Sequence, residues 1–215
     1  MKNLKLIIQS KNTLRLFALF GIISFIFEFV VFSIMGFLRI GYNPLTQYIS
    51  ELGECGAPNS TIVSLMFIFV GMLLVFFSIS FYYGIKIEKK SWIGPVFLAL
   101  FSIFDWIGSG IFPCDPGCAG KTFSGQMHLI VSVIGMFFMT FCPIITWKYM
   151  KKDERWHNFD KFTQLIGIII PVLIVIFIIS VNIGFLIGLT QRILYWTFSL
   201  WILVIALKLL KSFKT

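Results

Sequence analysis

The sequence predicts an all-α, polytopic membrane protein, a bundle of six transmembrane helices with both termini in the cytoplasm. Three observations carry that expectation. First, 58% of the 215 residues are hydrophobic and only 13% are charged. The mean hydropathy of +0.94 lies well outside the range of soluble domains. Second, six apolar runs can each cross a hydrocarbon core of roughly 30 Å. That crossing takes about 20 helical residues, since each rises about 1.5 Å and no backbone group stays unpaired in lipid. Third, the 18 basic residues are sorted by side. Fifteen fall at the two ends of the chain or after even-numbered runs, and only Arg39, Lys121 and Arg192 fall opposite. This positive-inside pattern places the termini inside and the odd-numbered connections outside. It also accounts for the net charge of +9 without nucleic acid. The inner basic loops are suited to anionic lipid head groups.

The first span is expected near 14–38. Lysines precede it as they would a signal peptide, but it is too long for one and no small-residue cleavage pattern follows, so it reads as a retained helix. The second span is expected near 61–85, the third near 92–113 and the fourth near 126–149. The fifth, near 162–187, and the sixth, near 192–210, are parted only by Gly188-Leu189-Thr190-Gln191-Arg192, which has the composition of a tight helical hairpin turn. Small and polar residues recur at helical spacing: Gly21, Ser24 and Glu28; Ser64, Gly71 and Ser78; Ser102, Asp105 and Ser109; Gly125, His128, Ser132 and Gly135. Such stripes mark inward, close-packed faces in a bilayer. Trp92, Trp147, Trp156, Trp196, Tyr82, Tyr83 and Tyr149 stand near span ends, as interfacial anchors do. No connection is long enough to bury a core of its own, so residues 1–215 are expected to form one membrane domain.

Two polar islands interrupt this apolar chain. One runs from Tyr42 through Asn43-Pro44 to Ser50-Glu51, and the other is Phe112-Pro113-Cys114-Asp115-Pro116-Gly117-Cys118, followed by His128. The topology puts both on the outer face, so they are expected to form one composite site. Pro44, Gly53, Gly56 and Pro58 make the first island irregular, with a short helical turn through Thr46 to Leu52. The ligand-binding candidates are Asn43, Glu51, Asp115, Gln191 and Arg192. Arg192 suits a phosphate or carboxylate clamp, or internal neutralisation of Glu51 or Asp115. Ser50, Asp105 and His128 are the catalytic candidates, with His128 able to serve as a general base.

Glu28 and Asp105 lie about 15 Å and about 12 Å inside their helix ends by the helical rise, near mid-membrane. An acid at that depth needs a partner, a proton or a water-filled cavity. Cys55, Cys114 and Cys118 share the outer face, where one disulfide and one odd thiol are expected. Zinc held by two cysteines, His128 and a carboxylate is the less favoured alternative, so no cofactor is expected. Phosphate-cradling glycine loops, nucleophile elbows and paired-histidine zinc motifs are absent.

The succession of Asn43-Pro44, Ile49-Ser50-Glu51-Leu52-Gly53, Gly110-Ile111-Phe112-Pro113-Cys114-Asp115-Pro116-Gly117-Cys118, His128 and Gly188-Leu189-Thr190-Gln191-Arg192 resembles the domain-of-unknown-function family 998 of prokaryotic membrane proteins. That resemblance implies a six-helix fold and an outer site. More distantly, the layout is similar to the damage-regulated autophagy modulator superfamily. Ser50, Asp105 and His128 are similar to part of the serine, aspartate and histidine set of the transmembrane hydrolases that include alkaline ceramidases. The three-histidine zinc set of those enzymes is missing, since His157, the only other histidine, falls in an inner loop.

These readings converge on a protein of the cytoplasmic membrane, with membrane lipids as its partners, that recognises or helps process a lipid or amphiphile head group. Two alternatives come from other classes. One is a proton-coupled transporter or channel using Glu28 and Asp105, and the other is a noncatalytic scaffold.

Overall fold

The computed structural model describes residues 9–86 and 89–213. Lys2, Lys5 and Lys214, which contribute to the charge pattern, and both chain ends lie outside the described residues. The fold is all-α, with six helices long and apolar enough to cross a membrane: α1 Lys11–Leu38, α2 Ser60–Ile85, α3 Ile93–Ile111, α4 Phe123–Met150, α5 Phe159–Ile183 and α6 Ile187–Ser212. Each packs against its neighbours in sequence, and α6 closes on α1. The result is a ring in which α3 and α6 also touch across the interior, through Phe101 and Phe198 with ring centroids 5.0 Å apart.

Polarity is arranged inside out relative to a soluble protein. Ser24, Glu28, Ser80, Ser102, Asp105 and Ser199 are buried, while Ile26, Leu65, Ile168, Val175 and Ile179 are exposed around the outside. Lipid tails are as apolar as leucine, so helix association here rests on close packing and interhelical hydrogen bonds rather than on exclusion of water. Phe77, Phe81 and Trp201 fill the centre with almost no exposure.

The start and stop signals are local. Ser10 caps α1 by accepting from Thr13 N at 3.2 Å, and Thr122 caps α4 by accepting from Gly125 N at 3.1 Å, satisfying donors that a helix start leaves orphaned. The turn between α5 and α6 falls earlier than the sequence suggests. Gly184 ends α5 in the left-handed region at φ +68°, with Phe185 N bonded back to Ser180 O at 3.1 Å, the pattern a C-terminal glycine permits. Gly188 to Arg192 are therefore the first turns of α6, and Gly188, Gln191 and Arg192 are buried. Trp156 also departs from the expected belt: it is 2% exposed and its indole donates to Gly84 O at 3.4 Å.

The feature that most shapes the interior is in α3. Residues Ser102–Ile107 form a π-helical segment, an inserted residue of the kind often found at functional sites. Glycines from both sides accommodate it. A Cβ on Gly71 of α2 would lie 2.9 Å from Ser102 O, and one on Gly135 of α4 would lie 3.0 Å from Asp105 N and Cα.

Candidate functional site

Arg39–Asn59 and Phe112–Thr122 meet at one end of the bundle. Cys55 N donates to Cys114 O at 2.8 Å, Glu54 accepts from Gly117 N at 2.7 Å, and Ser50 Oγ lies 3.3 Å from Cys118 Sγ. Glu54 also pairs with Arg39 at 2.5 Å, whose guanidinium donates as well to Glu51 O. Glu51 holds its own turn, Ser50–Gly53, by accepting from Tyr48 N at 2.8 Å and from the Gln47 amide at 2.9 Å. The start of α6 completes the clasp. Gln191 accepts from Ile49 N at 2.7 Å. Arg192 donates to Pro44 O at 2.6 Å, Gln47 O at 3.1 Å and Gly188 O at 2.9 Å, and to the Tyr42 hydroxyl.

Asp115 is likewise consumed locally. It accepts from the Thr122 hydroxyl at 2.7 Å, Thr122 N at 2.9 Å and Lys121 N at 2.5 Å. These bonds, the Thr122 hydroxyl foremost, hold its carboxyl below the usual range, because they favour the charged form. Cys114 and Cys118 form a disulfide, and Cys55 is free and exposed. A ring nitrogen of His128 and the two sulfurs lie within 4.8 Å of one another. The disulfide uses the thiolates that a zinc ion would require at such a cluster.

Beneath this cover lies a cavity of about 490 Å³, within the size range of small-molecule sites. Ser50, Asp105, Ser109, His128, Ser132, Gln191 and Tyr195 line it, and the walls given by α4 and α5 are apolar apart from Thr140 and Asn182. Leu129, Val133 and Phe137 of α4 and Ile178 and Val181 of α5 line it and are also exposed on the outside of the bundle, so the cavity opens sideways between those helices. The helices are close elsewhere, where Gly167 packs on Ile144. The cavity therefore presents a polar head space and an apolar exit toward lipid.

Several of its polar groups retain unused capacity. Asp105 is 4% exposed; its Oδ1 accepts from the Tyr195 hydroxyl at 2.9 Å, and Oδ2 takes no hydrogen bond from the described residues. The Ser109 and Ser132 hydroxyls have no partner among the described residues. His128 Nδ1 lies 2.9 Å from Phe112 O; since a carbonyl only accepts, Nδ1 carries the proton and Nε2 keeps a lone pair.

The family model described as "Protein of unknown function (DUF998)" matches residues 22–208. The chain belongs to that family. The matched stretch of this DUF998 protein holds both islands and every polar group named at the cavity. No curated protein and no solved structure matches the chain.

The sequence-derived candidates of the DUF998 protein divide into two groups. Asn43, Glu51, Asp115 and Arg192 do not line the cavity; Asn43 is exposed and its side chain accepts from Leu45 N at 2.9 Å. Ser50, Asp105, His128 and Gln191 do line it, although no hydrogen bond joins Ser50, Asp105 and His128 among the described residues. Glu28 is off the cavity wall, bonded on one oxygen by Ser199 and, among the described residues, without a partner on the other. Tyr195 escaped the sequence reading. It stands four residues after Gln191 and four before Ser199, a polar stripe on one helical face that was legible once Gln191 was placed inside the helix.

Proposed function

We propose that this DUF998 protein sits in the cytoplasmic membrane with both termini inside, and that its outward half admits an amphiphile sideways between α4 and α5 and holds its head group beneath the two islands. The single observation that carries this reading is that polar groups with unused hydrogen-bonding capacity, Asp105, Ser109, Ser132 and His128, line a cavity whose α4 and α5 walls are largely apolar and exposed on the outside of the bundle. Buried polar groups are ordinarily satisfied, so a cluster with spare capacity on a cavity wall is a place where a ligand supplies the partners. Ser50 and His128 border the head space, the positions from which processing of a bound head group would act. This reading needs no metal or cofactor.

The test is native mass spectrometry of protein extracted in mild detergent. The wild type is expected to retain one amphiphile, and Val133→Trp, which fills the side opening, to retain less. Bare protein in both samples would end the proposal. Two observations weigh against the alternatives. The proton-relay reading requires Glu28 and Asp105 on a common path, and Glu28 stands off the cavity wall, held by Ser199. The scaffold reading accounts for the mutually bonded islands but leaves the cavity beneath them without a role.

A further inference from the structure

Resting on the amphiphile reading, we propose that the head group selected by this cavity is a cationic hydrogen-bond donor, a primary amine on a long chain, and that Asp105 selects it. The charge around the cavity disfavours an anionic head. Among the described residues, no lysine or arginine lines the cavity. The two guanidiniums nearby are spent elsewhere: Arg39 on Glu54 and Glu51 O, and Arg192 on three carbonyls and the Tyr42 hydroxyl. Lys121, three residues after the second island, is exposed and off the cavity wall. An anionic head would enter this space without a counterion, at the cost of burying an unpaired charge.

The hydrogen-bond polarity of the lining points the same way. As a carboxylate, the form an ammonium would stabilise, Asp105 offers lone pairs only at Oδ2, and His128 Nε2 does the same because Nδ1 already donates to Phe112 O. The Ser109 and Ser132 hydroxyls can turn to accept as well. Two other lining groups, Gln191 Nε2 and Trp106 Nε1, can only donate, so the bias toward accepting is centred on Asp105 and His128, and the complement of that pair is a group rich in N–H donors. Among such groups an ammonium also satisfies the carboxylate electrostatically, and a charge-assisted bond is about twice as strong as a neutral one. Asp105 is held ready for this. Tyr195 occupies Oδ1 and leaves Oδ2 open, while the π-helical segment, backed by Gly71 and Gly135, fixes its backbone.

The experiment compares three probes that share a sixteen-carbon chain, hexadecylamine, hexadecanol and palmitate, titrated separately into detergent-solubilised protein and counted as adducts by native mass spectrometry. Wild type is expected to take up the amine at concentrations roughly tenfold or more below those needed for the other two, the equivalent of one charge-assisted hydrogen bond. Asp105→Asn is expected to lose that preference while still binding the alcohol, and Val133→Trp to lose all three. Should Asp105→Asn fail to fold, the wild-type ranking against Val133→Trp decides alone. Palmitate or hexadecanol binding the wild type as tightly as the amine overturns the proposal and leaves the amphiphile reading standing. Binding of none of the three overturns both.

Discussion

Replacing Arg192 with methionine separates the two roles that its position allows. As a ligand clamp, the guanidinium would matter for binding. As the clasp between α6 and the first island, it matters for stability. In the structure it donates to Pro44 O, Gln47 O, Gly188 O and the Tyr42 hydroxyl. Pro44 is exposed and Gln47 half-buried, so their carbonyls can recover water, whereas Gly188 and Tyr42 are buried. The Tyr42 hydroxyl keeps its bond to Tyr48 O at 2.8 Å and Gly188 O keeps its place in the helix ladder, so what is lost is two buried charge-assisted bonds, which at about 1.5 kcal/mol or more each puts the loss on the order of 3 kcal/mol. For a chain of this size that corresponds to a fall in melting temperature of about 6 to 12 °C. Thermal unfolding of purified protein, followed by tryptophan fluorescence, measures it. Arg192→Lys should recover only part, because an ammonium lacks the planar fork that reaches several acceptors from one side chain. A fall of less than about 2 °C for Arg192→Met, or lost amphiphile binding at unchanged stability, would refute the assignment of Arg192 to the clasp.

Gly188→Ala should destabilise by a comparable amount, since the added Cβ would lie 2.5 Å from Pro44 O, backbone that cannot yield without lifting the island; thermal unfolding reads the loss. Ser109→Ala and Ser132→Ala, by contrast, remove hydroxyls without partners among the described residues and should leave the melting temperature within about 1 °C, with a larger drop assigning them a structural role. Asp115 titrates below its ordinary value because Thr122 and Lys121 bond its charged form. Its contribution is therefore complete above the unfolded carboxylate value near 3.9 and is lost as pH falls through the lower folded value. Wild type should lose stability below about pH 4 more steeply than Thr122→Val, and identical slopes would contradict the assignment. In intact cells, a membrane-impermeant maleimide should label Cys55 without prior reduction and spare Cys142, which is buried. Absence of Cys55 labelling until the membrane is opened would reverse the proposed orientation.

The helices were legible in the sequence because length and hydropathy dictate them: a lipid core tolerates only closed backbone hydrogen bonding, and six runs satisfied that rule. The meeting of the islands was legible from topology alone, since both follow odd-numbered spans. The roles of their residues were not. Polar side chains at a membrane surface look alike whether they face a ligand or each other, and Glu51, Asp115 and Arg192 proved to bond to backbone groups of their own end of the bundle. The turn before α6 was misplaced for the same reason. Gln191 and Arg192 read as surface residues, yet their partners are carbonyls and amides of the first island, which no local pattern records. Asp105 was readable as an acid in need of a partner, but Tyr195 as that partner, the π-helical segment that presents it and the sideways opening between α4 and α5 depend on contacts across the ring.

A single-particle structure in nanodiscs of native lipid would show whether an amphiphile occupies the cavity. Elongated density is expected to enter between Val133 and Ile178 and to end within hydrogen-bonding distance of Asp105 Oδ2. A cavity closed by its own side chains, with Asp105 Oδ2 bonded to the protein, would contradict the amphiphile reading.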